Sequence, residues 1–99
     1  MSYKLTLQEV KDYLRIPYDD EDNLLKSLIE AGYLYLEEAI DEFWACYLSE
    51  SFQKKADLWI LTMWMPAAYE IREGAFAHPP EMGYAARALL TQLQLYRKD

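Results

Sequence analysis

The side chains that could carry catalytic chemistry are few in this chain of 99 residues: one cysteine, Cys46, and one histidine, His78. A thiol and an imidazole make a nucleophile and base only when the fold brings them within hydrogen-bond reach. His78 precedes Pro79 and Pro80 in a stretch, Gly74 to Gly83, whose turn-forming residues read as a loop. Cys46 lies among aromatic and apolar residues and reads as a buried structural thiol. Carboxylates are far more numerous. The run Asp19 to Asp22, DDED, lacks the alternating oxygen ligands, the mid-loop glycine and the closing glutamate of a calcium loop, so it reads as a charge cluster capping a helix start. Glu38 and Glu42 stand four apart on one helix face, a spacing that solvated faces share with acid and base pairs. Gly-rich phosphate loops, paired metal motifs and nucleophile elbows do not occur. The residues predict no enzyme, no cofactor and no metal.

Charge narrows the partners. Seventeen acidic residues against ten basic ones leave a formal net charge of -7 and a pI near 4.6. Holding nucleic acid by neutralising its phosphates requires clustered Lys and Arg, so that mode is excluded, and with it base stacking by the three Trp residues in a charged groove. A lone cysteine permits no internal disulfide, and the N-terminus shows no charged-then-apolar leader, which predicts an intracellularly made protein. Hydrophobic residues make up 53% and aromatic residues 15% of the chain, more than a small core ordinarily houses, which predicts subunit contacts.

The elements that must position these residues are helices. Thr6 and Glu9 have the spacing of a capping box, Leu7, Val10 and Leu14 give one apolar face, and Pro17 ends the helix near Arg15. A second helix is predicted from about Asp20 to Phe43 or Tyr47, with Leu25, Leu28, Gly32, Tyr35 or Leu36, and Ala39 at helical spacing. Gly32 within it costs up to about 1 kcal/mol relative to alanine, so a close helix–helix approach is expected there.

A third helix, capped by Ser49 or Ser51, should run to about Glu73 through ADLWILTMWMPAAY, residues Ala56 to Tyr69. On a regular helix this stretch is apolar all round. One face carries Ala56, Trp59, Ile60, Met63 and Ala67, and the other carries Leu58, Leu61, Met65 and Ala68. It is too short for a membrane span of roughly 20 residues, so the rest of the domain or neighbouring copies must cover it. Pro66 predicts a kink or break near Met65. A last helix is predicted by the spacing of Ala86, Leu89, Leu90, Leu93 and Tyr96 or Arg97, with Arg97 and Lys98 at its basic tip. No stretch alternates at period two. The fold class is all-α, a small bundle of three to four helices in a single domain.

Three segments, in order, resemble the small head-tail connector proteins of long-tailed bacteriophages and prophages. They are LTLQEVKDYLRIPYDDEDNLLKSLIEAGYLYLEEAI at the start, KKADLWILTMWMPAAYEIREGA in the middle and ALLTQLQLYRKD at the end. The resemblance implies a structural subunit of the virion neck, made in the bacterial host cytoplasm. It implies a homo-oligomeric ring beneath the portal protein, expected to be a dodecamer, which extends the DNA channel and docks the tail-proximal neck protein. On that reading Trp59, Trp64 and Tyr96 are expected at subunit interfaces, and Arg97 and Lys98 against the portal or a neighbour. Part of the acidic set Glu30, Glu37, Glu38, Asp41 and Glu42 is expected to line the channel, where like charge lets DNA pass without sticking. The alternative is a small acidic DNA mimic or antitoxin-like regulator, which accounts for the charge but leaves the apolar excess unexplained.

Overall fold

The computed structural model describes residues 3–71 and 83–95, and every regular element in them is helical. Helix α1 (Leu7–Leu14) starts on the expected capping box: Thr6 Oγ1 accepts from the Glu9 amide at 3.2 Å and the Thr6 amide donates to Glu9 Oε1 at 3.0 Å. It ends at Arg15, whose left-handed backbone (φ 59°, ψ 49°) turns Ile16 into the core ahead of Pro17. The acidic run next to it does not cap α2 (Asp22–Ala39), whose N-cap residue Glu21 makes no capping bond. Asp19 and Asp22 instead converge on the buried Lys11 ammonium, Asp22 Oδ1 at 2.9 Å. Hydrogen bonds that the ammonium donates to Asp19 and then to Asp22 hold the Lys11 pKa above its ordinary value. A lysine buried on the inner side of α1 needs those charges nearby, and that demand outweighs the capping preference.

Helix α2 stops at Ala39, short of the expected end. Its last turn holds no basic residue to meet the dipole, Ile40 turns extended and inward (φ -123°, ψ 120°), and Glu42 takes a left-handed conformation (φ 54°). The reversal folds the short α3 (Phe43–Cys46) back onto α2. Gln94, from α6 (Tyr84–Gln94), donates its amide to the freed Ala39 carbonyl at 2.9 Å.

The third helix is continuous but not regular. α4 (Glu50–Trp59) passes through a π-helical turn, Ile60–Trp64, into α5 (Met65–Ile71), and Met65 keeps helical angles (φ -60°, ψ -46°). Ser49 precedes it without a side-chain cap. Pro66 would lack a bond to the Thr62 carbonyl and crowd it in a regular α-helix, whereas a wide turn accommodates it without the expected break. The Met65 amide bonds the Ile60 carbonyl, five residues back.

The wide turn also rotates the residues beyond it. Inserting one residue shifts the phase by about 100°, so Met65 and Ala68, expected opposite Ala56, Trp59 and Ile60, are fully buried along with them. Leu58 is left 53% exposed, and the helix therefore does have a solvent-facing side.

Around this axis α2 packs closely at Gly32. A Cβ there would lie 2.7 Å from Trp64 Cδ1 and 2.8 Å from Ile60 Cδ1, inside any real contact distance. The expected close approach is thus realised, with an indole as the intruder. Gly32→Ala is expected to destabilise the fold by about 1–2 kcal/mol, overpacking of about 1–3 kcal/mol outweighing the helix-propensity gain. A urea midpoint at or above that of the parent protein would refute the packing account.

Candidate functional site

The residues that carry chemistry gather where α3 folds back on α2 and α4. Tyr33 and Tyr47 are both buried, and each donates its phenol to Asp57 Oδ1 at 2.6 Å, while Tyr47 also accepts from the Lys4 amide at 2.7 Å. One carboxylate thus ties α4 to α2, to the end of α3 and to the N-terminal segment. Burial pushes the Asp57 carboxyl above its ordinary range, and the two phenol bonds pull it partly back. Burial, reinforced by the Asp57 bond, drives both phenols far above theirs, so they stay protonated donors at any physiological pH.

Outward from this network lies an aromatic cluster. Tyr3 stacks flat on Tyr33, with centroids 4.3 Å apart and planes 4° apart. Trp44 packs edge-on against Phe43 (4.9 Å, 79°) and Tyr47 (5.4 Å, 72°), and its indole donates to Glu37 Oε1 at 3.0 Å. These residues surround an open cavity of about 260 Å³, lined by Tyr3, Glu30, Tyr33, Leu34, Glu37 and Trp44. Positions 30, 34 and 37 share one face of α2 by helical spacing, and all three side chains are exposed.

The expected acidic set is exposed throughout, but it is not one surface. Glu30 and Glu37 belong to the aromatic cavity, whereas Glu38, Asp41 and Glu42 stand at and beyond the C-terminal end of α2. None of the five makes an ion pair among the described residues.

The expectation for Trp59 and Trp64 is corrected. They are 0% and 1% exposed within the single chain, and their indoles donate to the carbonyls of Ala86 and Leu28, each at 2.9 Å. Large aromatics whose N–H groups find internal acceptors are core members, and the phase shift of the π-turn brings Trp64 inward. Tyr96, Arg97, Lys98 and His78 lie outside the described residues. Cys46 is a free, buried thiol, as read from the sequence.

Sequence reasoning missed Asp57, Trp44 and the cavity. One signal was available for Asp57: it is the only charged residue between Lys55 and Glu70, at the entry to the apolar stretch. Among the described residues no group of three or more His, Cys, Asp or Glu could hold a metal ion, and no helix is long and apolar enough to cross a membrane.

Neither a curated protein nor a solved structure matches the chain. A family model does, that of the Phage gp6-like head-tail connector protein, over residues 4–89, nearly the whole length. The match takes in the Asp57 network and every residue of the cavity lining except Tyr3, and with it the chain belongs to the Phage gp6-like head-tail connector family.

Proposed function

We propose that the protein works as a ring of identical copies in the virion neck, docked on the portal and extending the channel through which DNA passes. The family match over residues 4–89 carries this reading. The surface chemistry supports it. Glu38, Asp41 and Glu42 are exposed and without ion pairs among the described residues, which suits a channel wall that repels phosphates. Exposed Leu58 and Tyr84, 53% and 83%, offer apolar surface to neighbouring copies in place of the enclosed Trp59 and Trp64. Arg97 and Lys98 remain candidates for the portal contact, and Tyr96 for a subunit contact.

The test is reconstitution. Purified protein mixed with portal should give a closed ring in cryo-microscopy, with a dodecamer expected and Glu38, Asp41 and Glu42 facing the lumen. A ring that places all three at its outer rim removes the channel-wall assignment. A compact particle that ignores portal but binds a nuclease or repressor removes the connector role in favour of DNA mimicry.

A further inference from the structure

We propose that the cavity between α2 and α3 is a receptor for a single arginine side chain presented by a different protein, rather than by a second copy of this chain. The proposal rests on the neck role only for the identity of the partner; the chemistry of the pocket stands without it. At about 260 Å³ the cavity falls just below the roughly 300–1,000 Å³ of small-molecule sites, so it fits a side chain better than a cofactor. Its walls combine two features that select a planar cation. The rings of Tyr3 and Trp44 are half-buried and reach the cavity, and aromatic faces attract guanidinium by cation–π contact and stacking. Glu30 and Glu37 add two carboxylates, neither with a cationic partner among the described residues. Glu37 is already oriented by the Trp44 indole through one oxygen, which leaves its other oxygen for a guanidinium N–H.

The walls are also held in place beforehand. Tyr33, which backs Tyr3, is locked by Asp57, and Trp44 is wedged between Phe43, Tyr47 and Glu37. Preorganised walls lower the ordering cost of binding. Charge selects the source of the arginine. A second copy brings its own -7 against -7, whereas a basic patch on another protein is drawn to this surface.

The probe is a capped Gly-Arg-Gly peptide titrated against the full chain, read by the three indole N–H resonances in NMR. The resonance of Trp44 should shift saturably, while those of Trp59 and Trp64, enclosed and bonded to backbone carbonyls, stay in place. A peptide with neutral citrulline in place of arginine should leave all three unmoved. Glu30→Gln with Glu37→Gln, at exposed positions, should preserve the helical circular dichroism and weaken binding at least tenfold. Equal shifts with citrulline, parallel movement of all three indoles, or no shift at all would overturn the pocket.

The double variant then tests the partner. Docking to portal weakened at least tenfold with self-association unchanged supports it, and altered self-association with docking intact assigns the pocket to a second copy and overturns it. Should the parent protein itself fail to dock, the connector reading falls and takes the portal assignment with it, while the peptide titration still decides the pocket.

Discussion

Trp64→Ala should cost about 3–5 kcal/mol of folding stability, the range for removing a fully buried tryptophan. Trp64 is 1% exposed, stacks on Tyr35 at 5.4 Å, lies 6.3 Å from Trp59 and donates to the Leu28 carbonyl. Its removal opens a cavity at the centre of the molecule. For a domain of this size the loss corresponds to a drop in Tm of about 12 °C or more. The sharper readout is its coupling to Gly32. Gly32 lies one helical turn beyond Leu28, and the missing Cβ is what lets the indole reach the Leu28 carbonyl. Gly32→Ala destabilises the parent because the new methyl strikes Trp64. In the Trp64→Ala background the one remaining atom of the three nearest is the flexible end of Ile60, which can move into the vacated space.

There the same substitution should be neutral or stabilising by up to about 1 kcal/mol, the helix-propensity gain of alanine over glycine. Urea denaturation of the four proteins closes the cycle. Additive effects within about 0.5 kcal/mol would show that the indole is not what excludes a side chain from position 32.

The second large effect is expected at Asp57. Asp57→Ala leaves the Tyr33 and Tyr47 phenols, both buried, without their shared acceptor, and each orphaned donor costs about 1–3 kcal/mol. Relief of the half-buried charge offsets part of this, so a net loss of about 2–4 kcal/mol is expected. Asp57→Asn keeps an oxygen for both phenols and should lose less than half as much.

The two variants also separate through pH. The folded-state pKa of Asp57 lies above its ordinary value of 3.8, so the folded state favours the protonated carboxyl. That contribution is fully present below the ordinary value and is lost as pH rises through the folded pKa. Relative to the asparagine variant, which does not titrate there, the parent should therefore lose stability on going from strongly acidic to neutral pH. Guanidinium midpoints of both proteins across that interval check the sign. A parent that gains on the variant as pH rises would place the carboxyl in an environment that favours its charge, against the burial described.

Much of the frame was legible in the sequence because it rests on local rules. Gly32 signalled a close approach by residue type alone, while the capping box at Thr6 and Glu9, the stop ahead of Pro17 and the amphipathic spacing of α2 each depend on residues within a few turns of one another. The same holds for the all-α class and for the family resemblance, which the match over residues 4–89 bears out.

The tertiary structure decided what depends on distant partners. Asp19 and Asp22 serve Lys11 rather than a helix end, because the fold brings the lysine side chain, itself little exposed, up against both carboxylates. The end of α2 at Ala39 is set by the return of Phe43, Trp44 and Tyr47 onto Tyr33, a contact that no helical periodicity encodes. The π-turn was foreshadowed by Pro66, yet its consequence was not: one extra residue in the turn moved Met65 and Ala68 inward and set Trp64 against α2, turning expected interface residues into core. Composition and spacing thus settled the helical class and the charge, and the resemblance of three segments pointed to the family. Side-chain phase beyond the wide turn, and the meeting of Tyr3, Glu30, Glu37 and Trp44 around one cavity, came from packing, because each joins residues whose positions only the assembled fold defines.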